Sequence, residues 1–165
     1  MEPLHLLLAD DHTLVRAGLR ALLDGMDNVA TVIEAENGEQ AVALALDHAP
    51  DIALLDITMP GLNGLQAAER IRAKVPHTRV IILSMHAAEE YVNRALAIGV
   101  SGYLLKDAAT LELQAALDAV AAGQTYLSPR ITSQLLDART RPGEPVPKAA
   151  LTTRQLEVLG LLALG

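Results

Sequence analysis

The 165-residue sequence has no cysteine, no phenylalanine and no tryptophan, and only three tyrosines. Without cysteine there is no disulfide, no thiolate metal site and no cysteine nucleophile. Without Phe or Trp the core must be built from aliphatic side chains, and nucleic-acid bases find no aromatic platform to stack on. Basic residues are scarce as well: 13 Lys and Arg face 20 Asp and Glu, a formal net charge of −7. That balance is a poor electrostatic match for DNA or an anionic membrane. Long apolar runs are also missing. The longest, Ala41 to Leu46, falls far short of the ~20 residues a membrane span needs. The N-terminus has no basic region ahead of an apolar stretch, so secretion is not expected and a cytoplasmic location is the default.

Hydrophobic residues make up 51% of the chain, and a chain of this length buries roughly two-thirds of its unfolded surface without a covalent staple. Strand-length apolar runs occur at Leu4 to Ala9, Val29 to Ala35, Ile52 to Leu55, Val80 to Leu83 and Tyr103 to Leu105. They show little period-2 alternation, as expected of strands buried on both faces of a parallel sheet. Between them lie helical stripes: Val15, Leu19, Leu22 and Met26; Ala68, Ile71 and Val75; Val92, Ala95, Leu96 and Gly99; and Leu113, Ala116, Leu117 and Val120. An Ala-rich segment, Gly38 to His48, supplies the remaining helix and ends before Pro50. The alternation predicts an α/β fold, a (βα)5 doubly wound parallel sheet closing near Gly123.

The remainder differs in character. Ser128-Pro129 is a helix-start signal, and Ile131, Leu135 and Leu136 give a short helix its apolar face. Arg139 to Lys148 carries Pro142, Gly143, Pro145 and Pro147 without periodicity and reads as a semi-rigid linker. Thr152 and Gln155 form a capping box ahead of a stripe at Leu156, Leu159 and Leu162.

Chemistry converges on one edge of the predicted sheet. Asp10 and Asp11 follow the first strand and Asp56 follows the third. Taken singly they are helix-cap and turn carboxylates. In the flavodoxin-like strand order 2-1-3-4-5, however, the first and third strands are neighbours, and the crevice between their carboxyl ends is the ligand site. Three carboxylates there repel one another unless a cation sits among them. With oxygen ligands alone, Mg2+ is the natural candidate. Ser84 ends the fourth strand and Lys106 the fifth, adding a hydroxyl and an ammonium suited to stabilising a phosphoryl group. The separations fit the fold: 45 residues from Asp11 to Asp56 span two βα units, and 28 to Ser84 and 22 more to Lys106 span one each.

The segments Ala9-Asp10-Asp11-His12, DITMPGLNG from Asp56 to Gly64, Leu83-Ser84-Met85-His86 and GYLLKD from Gly102 to Asp107 together resemble a response-regulator receiver domain. HAAEEYV, GYLLKD and YLSPRI are similar to the NarL/LuxR type, and LTTRQLEVLGLLALG resembles the opening of that type's helix-turn-helix domain. The resemblance divides the chain into a receiver (1–125), a linker with a short helix (126–150) and the first helix of a truncated helix-turn-helix (151–165). It implies that Asp56 accepts a phosphoryl group from a sensor histidine kinase. Asp11, Asp56 and the Thr58 backbone carbonyl would hold Mg2+, with Asp10 acting through water. Lys106 and Ser84 would bind the phosphoryl group, Tyr103 would turn inward as the readout, and Thr58 and His86 would tune phosphate lifetime. It further implies a homodimer on phosphorylation, through the fourth helix and fifth strand or through the first and fifth helices, and no enzymatic turnover beyond self-phosphorylation and self-dephosphorylation. Asp107 stands where many receivers have proline, which makes a cis peptide after Lys106 costly.

Three rival readings are weaker. A haloacid-dehalogenase-type phosphatase needs an acid two residues after its nucleophile, where this chain has Thr58. A flavin or nucleotide module wants a phosphate-cradling loop where Asp10-Asp11-His12 stands. A receiver acting only as a phosphorylation-independent interaction module has no need of all five site groups. DNA recognition requires a second helix beyond Leu164, so this chain is not expected to bind a specific DNA site, although the parent protein is expected to regulate transcription. Residues 126–165 hold five basic and three acidic side chains, leaving eight and seventeen in residues 1–125, so the acidity belongs to the receiver.

Overall fold

The computed structural model describes residues 2–140, with side chains described to Asp137. The expected linker from Arg139 begins later than its composition indicates, because Arg139 and Thr140 still belong to a helix that starts at Pro129; the rest of it and the expected helix at 151–165 lie outside the described residues. In chain order the elements are β1 (Leu4–Ala9), α1 (Thr13–Asp24), β2 (Val29–Ala35), α2 (Gly38–His48), β3 (Ile52–Asp56), α3 (Gly64–Lys74), β4 (Arg79–Ser84), α4 (Glu89–Ile98) and β5 (Gly102–Leu105). A single 3-10 turn (Lys106–Ala108) leads into α5 (Ala109–Ala121), followed by β6 (Tyr126–Leu127) and α6 (Pro129–Thr140).

All strands pair in parallel, in the order β2-β1-β3-β4-β5-β6. Every residue of β3 is buried, which is why the central strands read as continuous apolar runs. Ala53 and Leu55 join the layer beneath α2, α3, α4 and α6. Ile52 and Leu54 join the layer beneath α1 and α5. Both layers are largely aliphatic: Tyr103 is fully buried in the first, and Tyr126 packs, partly buried, against the second.

The sequence pattern gives five strands, and the described residues form six. Two residues are too few to show a period, so β6 is invisible to pattern reading. It forms because the outer edge of β5 has unpaired backbone groups: Tyr126 N–H donates to Ser101 O at 2.9 Å and Ser128 N–H to Tyr103 O at 3.0 Å. The chain then turns into α6, which sinks Ile131 and Leu135 into the α4-side core, while Leu136 is only partly buried. The stripe expected for α1 also shifts. Leu19 and Leu23 are its buried residues, and Val15 is 40% exposed. The first turn of α1 sits beside the Asp10–His12 loop at the carboxyl edge, so Val15 has no strand beneath it.

Two helix starts are secured by side chains. Asn37 accepts from Gln40 N–H at 2.8 Å, and Asn63 with Gln66 forms a reciprocal capping box at α3. Gly64, the first residue of α3, packs so closely under the end of β3 that a Cβ there would stand 2.1 Å from the Asp56 carbonyl oxygen. Only glycine lets the helix approach the strand end this closely.

Candidate functional site

Strand register brings the predicted residues together. Ala9 pairs with Leu55, so Asp10 and Asp56 emerge side by side at the carboxyl ends of β1 and β3. Asp56 is level with Leu83 on β4, and Ser84 with Leu105 on β5, which places Ser84 and Lys106 along the same edge.

The Lys106 side chain, 5% exposed, reaches across the edge. Its Nζ lies 2.7 Å from Asp10 Oδ2 and 3.0 Å from Asp56 Oδ2. Each of those oxygens is buried and has no aligned hydrogen bond beyond this ion pair. Asp56 Oδ1 receives only a long bond, 3.3 Å, from the Thr58 N–H. Burial pushes the Asp56 carboxyl up to about 6. Lys106 opposes this by attraction and hydrogen bonding, the Asp10 carboxylate adds to it by repulsion, and the Thr58 N–H opposes it.

Asp10 and Asp11, equivalent in the sequence, separate here. Asp10 is fully buried, and its Oδ1 accepts the His12 N–H at 2.9 Å. Asp11 is 29% exposed and lies 3.3 Å from His12 Nδ1. Neither caps α1, whose N-cap position is His12 without a side-chain bond. Ligand atoms from Asp10, Asp11, His12 and Asp56 all fall within 4.8 Å of one another. Converging carboxylates with underused buried oxygens fit a small hard cation, which would take up those lone pairs and relieve the repulsion.

Ser84 is buried at the end of β4 and is satisfied within its own loop. Its Oγ donates to His86 O and accepts His86 N–H, both at 3.0 Å, and it makes no hydrogen bond to Asp56 or Lys106 among the described residues. Tyr103 is turned inward, and its hydroxyl donates to the same His86 carbonyl at 3.1 Å. Burial raises its phenol above the ordinary range, partly opposed by hydrogen bonding to Ser84. The Thr58 and His86 side chains are exposed beside the site. The Lys106–Asp107 peptide is trans.

Three contributors escaped the sequence reading. Gly64 sets the approach of α3 to Asp56. Ser128 Oγ accepts the Leu105 N–H at 3.0 Å, fixing the backbone directly before Lys106. Arg16 Nη1 donates to the Asp10 carbonyl at 2.6 Å. Gly64 closes the DITMPGLNG segment; the other two act across 23 and six residues, with no local signature.

A flavodoxin-like sheet with acids and a lysine at its carboxyl edge defines a class, the receiver domains. The family model for the response regulator receiver domain matches residues 6–118, and the chain belongs to that family. Its relatives are of NarL/LuxR type. The nitrate/nitrite response regulator NarL of Escherichia coli K12 is 39% identical over 167 residues, covering 99% of this chain and 77% of that protein. The transcriptional regulatory protein MctR of Rhizobium johnstonii is 35% identical over 162 residues, covering 98% and 74%. Among solved structures, a LuxR-family response regulator from Aurantimonas superposes with a TM-score of 0.81 at 33% identity, over 85% of this chain and all of that one. The receiver domain of a Mycobacterium tuberculosis NarL gives 0.71 at 38%, over 75% of this chain and 100% of that one. Membership in this family leaves the phosphatase and flavin readings without support. Among the described residues, no helix is long and apolar enough to cross a membrane.

Proposed function

We propose that this chain is the phospho-accepting receiver of a cytoplasmic transcriptional response regulator, with a sensor histidine kinase as phosphoryl donor. An Asp56 carboxylate oxygen attacks the phosphorus of a phosphohistidine. The P–N bond breaks, an acyl phosphate forms, and the released imidazole takes up a proton from solvent. Asp11, Asp56 and the Thr58 carbonyl would hold Mg2+ with Asp10 behind them through water; when bound, the ion offsets negative charge on the phosphoryl oxygens. Lys106, already shared between Asp10 and Asp56, supplies the second positive charge, and Ser84 contributes a hydrogen bond once it leaves His86. The modification exchanges a carboxylate carrying one negative charge for an acyl phosphate carrying up to about two, spread over phosphoryl oxygens that accept hydrogen bonds. Contacts formed to them in only one conformation bias a two-state element, and reversing such an equilibrium takes roughly 5 kcal/mol. Tyr103 reads out that state, Thr58 and His86 flank the path of hydrolytic water, and the phosphorylated form dimerises. Self-dephosphorylation is the only turnover in this reading. DNA contact belongs to the output domain, as MctR's description as a transcriptional regulatory protein suggests.

The observation that carries this reading is the buried Asp56–Lys106–Asp10 group with its underused oxygens. The test is incubation with a small acyl phosphate and Mg2+, followed by intact mass. Wild type gains one phosphoryl group and Asp56→Asn gains none; equal gain, or none in either, overturns the reading. A second reading, an interaction module independent of phosphorylation, draws on Tyr103 being inward and Ser84 engaged while Asp56 is unmodified. It expects partner binding to be the same for Asp56→Asn and wild type.

A further inference from the structure

Arg16 stands where helix energetics disfavour it. It lies in the opening of α1, near the positive end of the helix dipole, and the first turn has no acidic residue to offset it. Its side chain is nevertheless only 11% exposed. Nη1 donates to the Asp10 carbonyl at 2.6 Å, Nε donates to Glu34 Oε1 at 3.1 Å, and Nη2 lies 3.7 Å from Glu36 Oε1. Glu34 and Glu36 flank Ala35, the last residue of β2, whose carbonyl receives the Asp10 N–H at 3.1 Å. Asp10 is therefore gripped on both sides: its N–H by β2, its carbonyl by Arg16.

That carbonyl belongs to the peptide joining Asp10 to Asp11. Fixing it fixes the direction in which the Asp11 side chain leaves the backbone. Asp11 needs this help because, among the described residues, its ion-pair partner is the exposed His12, and its own side chain is 29% exposed. Asp10, in contrast, is anchored by Lys106. We propose that Arg16 is a positioning residue that sets the cation-ligating geometry of the Asp10–Asp11 turn, an inference that rests on the metal reading of the site. The guanidinium fork is required because it reaches the carbonyl and two carboxylates at once; an ammonium supplies the charge from a single point.

The test titrates the whole chain with Mn2+, following the free ion by electron paramagnetic resonance, and then competes it with Mg2+. Arg16→Gln is expected to bind Mn2+ about ten-fold more weakly than wild type, the size of effect usual for groups that orient metal ligands. Arg16→Lys falls between them. Arg20→Gln, which removes a 3.2 Å contact to Glu34 but none to the Asp10 backbone, stays within two-fold of wild type. The amide resonances of Asp11 and His12 move in Arg16→Gln and not in Arg20→Gln. Circular dichroism in EDTA confirms folding, and if Arg16→Gln does not fold, Arg16→Lys carries the same comparison. Undiminished Mn2+ binding by a folded Arg16 variant overturns the clamp alone, as does equal weakening by Arg20→Gln. Failure of wild type to bind either cation overturns the metal reading and the clamp with it.

Discussion

Two aspartates bracket β3 and put the same functional group to opposite uses. Asp51, just before the strand, is 32% exposed and well supplied with donors: His5 N–H reaches its Oδ2 at 2.8 Å and His77 Nε2 lies 3.1 Å from its Oδ1. Its backbone joins in, donating to His5 O and accepting from Arg79, so the residue stitches together the amino ends of β1, β3 and β4. Asp56, at the far end, is 3% exposed, shares a single ammonium with Asp10 and receives one long backbone bond. A carboxylate surrounded by donors holds structure together. One buried with lone pairs to spare costs stability and is ready for a ligand.

The largest expected effect comes from Lys106→Met, which strips the shared counter-ion from two buried carboxylates. Without metal at pH 7 it should destabilise the protein by about 3–5 kcal/mol in urea unfolding; a loss under about 1 kcal/mol would erase the contrast between the two ends of β3.

Asp56→Asn should act in the opposite direction. Folding raises the Asp56 pKa from 3.8 to about 6, so the folded state holds this proton more tightly than the unfolded one. The stability linked to the proton is fully present below about pH 4 and is lost as pH rises through about 6. Removing the ionisable group should therefore stabilise the metal-free protein by about 3 kcal/mol at pH 7.5, with the gain vanishing near pH 4. A flat difference between wild type and Asp56→Asn across that range would show that Asp56 carries no such penalty.

The smallest effect belongs to Asp51→Asn. Losing charge-assisted bonds at a partly exposed site should cost about 1 kcal/mol, indifferent to added Mg2+ and without consequence for phosphoryl uptake. A Mg2+-dependent change in its stability would mean that the two ends of the strand are not independent.

Much of this was legible in the sequence because it depends on local period and on strand order. β1 to β5 and their helices follow from runs and stripes, and once β1 and β3 are neighbours, Asp10, Asp11, Asp56, Ser84 and Lys106 must share an edge. What escaped depends on contacts between segments or on side-chain direction. β6 is defined by its partner, not by its own two residues. The face of α1 is set by where the helix overhangs the sheet, which exposes Val15 and buries Leu23. Ser84 sits on the edge that strand order predicts, yet its hydroxyl turns to the His86 backbone, a side-chain direction that no run or stripe reveals. Ser128 marks the helix start as expected, but its hydroxyl serves β5 across 23 residues.

That last bond bears on where the domain can be cut. A fragment ending at Gly123 keeps every residue of the acidic edge, yet leaves Leu105 N–H without its acceptor, reopens the flank of β5 and removes Ile131 and Leu135 from the core layer that Tyr103 also joins. The smallest excisable unit therefore runs at least through Leu135, twelve residues past the point where the apolar pattern invites the scissors.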